Sequence, residues 1–479
     1  MDAPCNGHIV SVLLDWNEKR SSITPTVLVA MTDDSLMKRS KFAAEIGEED
    51  YNTEVTLCGW VQYTRNLGKM AFVHLRDRSG VAQVTALSKT MDKELFDLIV
   101  SVPRESAIAV RGIIKQSPQA KAGWEIIPYK VEVLGKAKTP LPLGVVDKVD
   151  ADMDTRFDNR FLDLRKPEIQ AIFMIRSTIL EAARQVLLEE GFIEIHTPKI
   201  VATATEGGTA LFEMKYFDKV AYLNQSPQLF KQTMMATGLD RVFEIGPAFR
   251  AEEHDTRRHL NEYTSIDVEM AFANLEDGLE ILEKVIQRSY SNVLNENFME
   301  LDTLNHVIDA PERPFPRLEY KCIIDKLQKA GLEIPDEKTN RMRLIEWGDD
   351  IPQEGFKIIA EDRPSLYFVT DWPMSLKPFY IHPHPDDPEV SLGFDLNHGE
   401  KELVSGGQRI HEPELLLEML SKKGLKPETF GFYTKAFEYG MPPHAGWGLG
   451  ADRLTMALTG AANVRETVLF PRDRHRLVP

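Results

Sequence analysis

The chain has 479 residues, 43% of them hydrophobic and 27% charged. That is ordinary for a globular protein of two or three domains. Acidic residues number 74 and basic ones 57, for a formal net charge of -17. Globally this argues against nucleic-acid binding, because phosphate neutralisation needs Lys and Arg; an acidic body with basic faces can still bind RNA. No apolar run approaches the roughly 20 residues that span a bilayer. The stretch Ile9 to Leu14 is too short for a signal peptide and lacks a small-residue cleavage site. Cys5, Cys58 and Cys322 are odd in number and widely spaced. They argue against a disulfide framework or a zinc site and for a reducing cytoplasm.

Residues 1–36 show no steady period, and the pattern assigns them no element. From Asn52 the pattern turns to short β-rich runs: Val55–Tyr63, Ala71–Asp77, Ala82–Leu87, Ala107–Ile114 and Glu125–Leu134. Turn residues separate them, and Met91–Val102 reads as a helix between the third and fourth runs. Five short strands with a helix in that place predict a small oligonucleotide-binding barrel over 37–138. Residues 139–165, with Pro140, Pro142 and the charged stretch Asp147–Arg165, read as a hinge. Residues 166–479 form the second domain. It opens with a helix from Pro167 to about Glu190, where Ile172, Ile175, Ile179, Ala182, Ala183, Val186 and Leu187 recur at helical spacing. Pro167 suits its first turn and Gly191 its stop.

Three later segments carry polar residues in patterns that bear on chemistry. In Val242–Phe272 a strand ends in a loop dense in His, Arg and Glu, and a second strand returns. On the returning strand Ser265, Asp267 and Glu269 share one face, and Ile266, Val268 and Met270 the other. Such a hairpin lines a pocket, with Arg250 as a planar fork for phosphate or carboxylate, or else it is an exposed hairpin with solvated charges. In Phe394–His411, a turn centred on His398-Gly399 sets Asp395 directly across from Glu402. Facing carboxylates need neutralising, which Mg²⁺ does while bridging to phosphates; Ser405 adds a hydroxyl. The alternative is that both acids point to water. In Gly440–Leu454 the glycines 446, 448 and 450 precede a helical pattern beginning Ala451-Asp452-Arg453-Leu454. The spacing is not that of a dinucleotide loop. Glycines beside Arg453 instead permit close approach of backbone to a ligand.

Taken together and in this order, these segments resemble class II aminoacyl-tRNA synthetases of the subgroup with an N-terminal anticodon-binding barrel. Helix Pro167–Glu190 with strand Phe192–Pro198 resembles that class's dimer-forming first motif, FRAEE with its returning strand the second, and GLGADRL the third. The resemblance covers about residues 37–479; the stretch from Met37-Lys38-Arg39-Ser40 is similar to the usual start of archaeal relatives, which implies that residues 1–36 are a dispensable extension. It is closest to archaeal and eukaryotic aspartyl-type members, because the large insertion of bacterial ones is missing between Leu301 and Leu392. It implies a multidomain protein: an N-terminal five-stranded OB-fold β-barrel followed by an α+β catalytic domain on an antiparallel sheet. It also implies a homodimer.

Site roles follow from the resemblance, residue by residue. Arg250 is similar to the arginine that holds the ATP α-phosphate, Glu252 to the acid that reads the adenine amino group, and His259 to a γ-phosphate contact. Tyr263 stands where an aromatic stacks on adenine, and Arg453 where an arginine covers it. Asp395, Glu402 and Ser405 match the Mg²⁺ ligands. Glu206, Ser226, Gln228, Lys231, Asp267 and Arg409 match the amino-acid pocket, with Lys231 and Arg409 pairing the side-chain carboxylate of aspartate. A lysyl relative would need an acid at Arg409, and asparaginyl relatives lack a lysine at Lys231. Two fixed cations leave a neutral amide poorly matched.

The chemistry implied is attack of the aspartate α-carboxylate on the ATP α-phosphorus, then transfer of the aspartyl group from its adenylate to the terminal ribose of tRNA. Arg250 and Mg²⁺ would offset the developing charge. In the barrel, Phe72 resembles an aromatic on which an anticodon base stacks and Gln83 a base-edge reader; a core role for Phe72 is the alternative. Gln62 and Lys121 stand where relatives differ in accepting tRNA(Asp) alone or tRNA(Asn) as well, and Lys121 points to discrimination. The competing readings are a non-discriminating aspartyl enzyme, an asparaginyl enzyme, and a synthetase-like RNA-binding protein without catalysis.

Overall fold

The computed structural model describes residues 37–146, 151–202, 211–252, 256–336, 341–363 and 365–479. They fall into two compact units that part between Leu141 and Pro142. The expected extension 1–36 lies outside the described residues.

The first unit is a closed barrel of strands β1 (Glu54–Asn66), β2 (Met70–Arg76), β3 (Val81–Leu87), β4 (Ala107–Gln116) and β5 (Trp124–Gly135), in the order β1-β2-β3-β5-β4. Helix α1 (Lys93–Ser101) joins β3 to β4. Asp92 caps it by accepting from Glu94 N–H, and Phe96 and Ile99 are its buried residues. Alternation sorts the strands into two faces. Val73, Leu75, Val84 and Val110 fill the barrel, while Phe72, His74 and Gln83 lie on the outer face. The core reading of Phe72 therefore fails: it is half-buried on the face away from Val73.

The described residues of the stretch read as a hinge carry regular structure. Helices α2 (Met153–Asp158) and α3 (Arg160–Asp163) lie within it, and Leu143, Val145 and Leu162 form a small core of their own. The guanidinium of Arg160, 1% exposed, donates to the carbonyls of Leu469, Glu466 and Val468 and to Asp163 Oδ2 at 2.6 Å. Charge-rich sequence here belongs to a buried ionic clamp.

The second unit is built on an eight-stranded sheet. Its strands are β6 (Ile193–Glu194), β7 (Arg241–Phe249), β8 (Glu262–Ala271), β9 (Arg317–Glu319), β10 (Leu366–Thr370), β11 (Gly393–His398), β12 (Lys401–Arg409) and β13 (His444–Gly450). Their order is β9-β10-β11-β12-β13-β8-β7-β6. Pairing is antiparallel except at the two ends, where β9 joins β10 and β6 joins β7 in parallel. Only Ile193–Glu194 of the expected strand Phe192–Pro198 enters the ladder.

Helices α4 (Pro167–Glu189), α5 (Gln228–Met234), α6 (Leu275–Glu296) and α7 (Ala451–Thr459) accompany the sheet. Pro167 opens α4. Gly191, at φ 80°, closes it: its N–H bonds Leu188 O and the next N–H, of Phe192, bonds Leu187 O. The apolar stripe of α4 (Ile175, Ile179, Ala183, Val186) and that of α6 (Leu279, Leu282, Val285, Ile286) bury against Ile266, Val268, Phe394, Leu396, Trp447 and Leu449 of the sheet. With period two, this leaves Ser265, Asp267, Glu269 and Asp395 on the opposite face.

Candidate active site

That opposite face is the floor of a cleft of about 340 Å³. Hairpin β7–β8, strand β12, the junction of β13 with α7, and the segment Lys377–Ile381 build its walls. Ser226, Gln228, Arg250, Glu252, His259, Tyr263, Asp267, Glu402, Ser405, Arg409 and Arg453 all line it, as do Arg258, Lys377 and Asp452. The site residues read from four separate stretches of sequence thus meet in one place. Glu206 lies outside the described residues.

At one end, Arg250 rests over the Tyr263 ring, 5.5 Å from its centroid. The Tyr263 hydroxyl donates to Gln225 O at 3.3 Å. Burial, with Arg453 nearby, pulls the His259 imidazole down, so it is neutral at pH 7. Its Nδ1 is 2.6 Å from Thr256 Oγ1. Arg453 Nη1 donates to Glu402 O at 2.9 Å. Beneath, a network joins three elements: Arg176 of α4 bonds Asp452 of α7 and, at 2.9 Å, Thr264 Oγ1, and Asp452 Oδ2 accepts from Thr264 N–H at 2.9 Å.

The acidic hairpin differs from its expected register. The turn is at Gly399-Glu400, with Gly399 at φ 55°, so His398 pairs with Lys401. Asp395 faces Ser405 and Asn397 faces Glu402, with a bulge between. Glu402 and Ser405 are three apart, which in an unbroken strand puts them on opposite faces. The bulge sends both Leu403 and Val404 into the core and returns Glu402 and Ser405 to the cleft. Asp395 lies behind the wall. Its Oδ2 accepts from Lys377 Nζ at 2.7 Å, while Oδ1 is buried with no hydrogen-bond partner. Burial and the neighbouring Asp395 push the Glu402 carboxyl up, against Arg453, Lys377 and Arg250. Its side chain is 48% exposed and lines the open cleft, so solvent tempers that rise.

At the other end the two cations expected to face a substrate are already engaged. Arg409 donates from Nε and Nη2 to the two oxygens of Glu269, at 2.9 and 3.2 Å. Lys231 sits beneath the cleft, 3% exposed, with Nζ 3.1 Å from Asp267 Oδ1 and 3.5 Å from Glu269 Oε2. Burial alone would raise Glu269; Arg409 and Lys231 outweigh it and hold the carboxyl below its usual range. The glycines of β13 serve this layer. A Cβ on Gly446 would collide with the Glu269 carboxylate, and one on Gly448 would sit 3.2 Å from Asp267 Oδ1. They make room for the protein's own acids.

Sequence reasoning placed Glu269 on the correct face but gave it no role. It missed Lys377, Arg258 and Asp452, which lie far in sequence from the partners that explain them. It also missed His444. Gln228 Nε2–H and the Tyr433 hydroxyl donate to Gln232 Oε1, at 2.9 and 3.2 Å. Gln232 Nε2 lies 3.1 Å from His444 Nε2, and His444 Nδ1 lies 2.8 Å from Pro442 O. Burial brings His444 down to about 4.

In the barrel, Gln62 is the bulge residue between Val61 and Tyr63, with its Oε1 buried and unpartnered. Gln83 donates to Glu125 Oε2 at 2.9 Å. Lys121 is exposed in the β4–β5 turn.

Comparison with known proteins agrees with this architecture. Residues 152–474 match the family of class II tRNA synthetases (D, K and N), and residues 55–134 match the OB-fold nucleic acid binding domain. The aspartate–tRNA(Asp/Asn) ligase of Archaeoglobus fulgidus is 51% identical, covering 91% of this chain and 99% of its own. The aspartate–tRNA(Asp) ligase of Pyrococcus horikoshii is also 51% identical, covering 92% and 100%. Among solved structures, the asparaginyl-tRNA synthetase of Pyrococcus horikoshii, complexed with asparaginyl-adenylate, superposes with a TM-score of 0.85 at 32% identity, covering 93% of this chain and 100% of that one. With both domains matched and half of its residues shared with such relatives over nearly their full length, the chain belongs to the aspartyl-tRNA synthetases of the archaeal and eukaryotic type, within class II.

Proposed function

We propose that the protein activates L-aspartate with ATP and esterifies it to tRNA. One observation carries the reading: a single cleft joins an arginine-rich wall (Arg250, Arg258, Arg453) to a buried ionic floor of Asp267, Glu269, Lys231 and Arg409. The wall suits a triphosphate. The floor suits an amino acid with an anionic side chain. Glu269 fixes the Arg409 fork through Nε and Nη2, which leaves Nη1 for a substrate carboxylate, and Asp267 is placed for an ammonium. Tyr263 and Arg453 would hold the adenine between them.

The residues act by position and charge. They bring the aspartate α-carboxylate in line with the α-phosphorus, and Arg250 stabilises charge on the phosphoryl oxygens as pyrophosphate leaves. No side-chain nucleophile is required. Asp395, Glu402 and Ser405 fit a divalent cation: Asp395 Oδ1 is a buried acceptor without a partner, and Glu402 is held close to another acid. Mg²⁺ bound there would neutralise phosphate charge. A catalytically inactive relative is disfavoured, because Arg250, Glu252, Asp395, Glu402 and Arg453 are all present.

The test is ATP–pyrophosphate exchange with aspartate, asparagine and lysine in turn. Exchange driven by aspartate is expected; exchange driven by asparagine alone would overturn the assignment.

For tRNA choice we favour discrimination, on Lys121 in an exposed turn and Gln62 at the β1 bulge. Charging of both tRNAs is the second reading, favoured by the likeness to the aspartate–tRNA(Asp/Asn) ligase of Archaeoglobus fulgidus. Aspartylation of tRNA(Asp) and tRNA(Asn) transcripts by wild type and by Gln62→His/Lys121→Pro separates them. Equal charging by wild type, or a double variant whose preference does not move, refutes discrimination.

A further inference from the structure

A second cluster of ligating side chains lies beside the cleft and takes no part in the chemistry above. His382 directly follows Ile381, whose backbone bridges to Arg409; His411 and Glu412 lie just past Arg409. One ligand atom from each of His382, His411 and Glu412 falls within 4.8 Å of the others. His382 Nε2 is 3.6 Å from Glu412 Oε1, and His411 Nδ1 is 3.3 Å from Glu412 Oε2. The imidazoles lie nearly parallel, 6.2 Å apart at 23°.

Two details mark the cluster as more than an ion pair. His382 Nδ1 is 2.6 Å from Pro383 O. A carbonyl there takes the proton on Nδ1 and leaves the Nε2 lone pair toward the cluster, as an outer hydrogen bond does for a metal-bound imidazole. His411 Nδ1 is buried and has no hydrogen-bond partner; its approach to Glu412 is too poorly aligned to count as one. A buried ring nitrogen without a partner costs free energy that a ligand would recover. His384, two residues on, is otherwise engaged, its Nδ1 accepting from Asp386 N–H at 3.2 Å.

We propose that His382, His411 and Glu412 bind a divalent transition metal of the Zn²⁺ class. Two imidazoles and a carboxylate select zinc over Mg²⁺, which prefers oxygen. The side chains of His382 and Glu412 are 17% and 44% exposed, which leaves an entry path and a fourth position for water. The ion would staple the end of β12, which carries Arg409, to the segment that carries Tyr380 and Ile381. It is a clamp beside the cleft, with no part in activation.

The test is Zn²⁺ titration of the full chain against a chromophoric chelator under saturating Mg²⁺, with Co²⁺ titration followed by visible absorption. Wild type should bind one Zn²⁺ that His382→Ala/His411→Ala loses, and its Co²⁺ form should show the intense visible bands of a low-coordinate site. Asp395→Asn should keep both. The gentler Glu412→Gln should weaken Zn²⁺ by more than about tenfold without altering the circular dichroism, which covers the case of a misfolded double variant. Zinc binding untouched by the histidine and Glu412 substitutions, or lost only in Asp395→Asn, overturns the proposal.

Discussion

Arg250 and Arg453 stand at the rim of a polar cleft and contribute nothing to the cores on either side of the sheet. Their removal should therefore cost charge stabilisation and not packing. Either alanine variant is expected to lose at least about a hundredfold in aspartate-dependent pyrophosphate exchange while melting like the wild type. Full exchange activity in both would remove them from the reaction. His444 behaves oppositely. It is wholly buried and held to about 4, against about 6.5 in an unfolded chain. Between those values the unfolded state binds the extra proton, so stability rises with pH there and is flat above. On acidification this residue alone should withdraw up to about 3 kcal/mol. In His444→Gln the thermal midpoint should fall less between about pH 7 and pH 5 than in wild type; equal falls would contradict the assignment.

Two features decide how the elements present these residues. The bulge at Leu403 lets a strand with two consecutive core side chains still hold Glu402 and Ser405 on one face. The Arg160 clamp ties α3 to the carbonyls of residues 466–469, and Asp163, wholly buried, also takes Arg156 Nε at 3.1 Å and Lys166 Nζ at 3.3 Å. Without Arg160, Asp163 keeps two cations but the carbonyls of Leu469, Glu466 and Val468 lose this donor, and a buried acceptor left unsatisfied costs about 1–3 kcal/mol. Arg160→Met should lower catalytic-domain stability by that amount in urea unfolding. A loss under about 1 kcal/mol, the scale of a surface pair, would show that the clamp is incidental.

At the scale of the whole molecule, the side of α3 and α4 away from the core exposes Phe161, Met174 and Leu188, at 60, 49 and 54%. Large apolar side chains left exposed on these helices are what a covering chain would bury. We expect a homodimer through this face, which is also where the first-motif resemblance lies. Sedimentation at micromolar concentration should give twice the chain mass, and Met174→Glu/Leu188→Glu should lower it. A wild-type monomer would refute the interface. Among the described residues no helix is long and apolar enough to cross a membrane.

What the amino-acid order determined by itself was whatever depends on local period and on motif. The five strands and helix of the barrel, helix α4 between Pro167 and Gly191, and the polar face Ser265-Asp267-Glu269 were all legible, because burial on one face imposes alternation or a 3.6-residue repeat wherever it occurs. Most cleft residues were legible too, through motif resemblance. Tertiary structure alone decided the rest. Lys231 and Arg409 each looked like a cation waiting for substrate, yet Glu269, which packs against both, already holds them. Asp395 and Glu402 looked opposed in the ladder, yet a bulge and a turn one residue later shifted the register. Residues 139–165 read as a hinge, yet Arg160 closes on carbonyls some three hundred residues away. Periodicity records which face a residue takes. It carries no information about which distant charge will be brought against that face, and in a low-dielectric interior that partner sets the role.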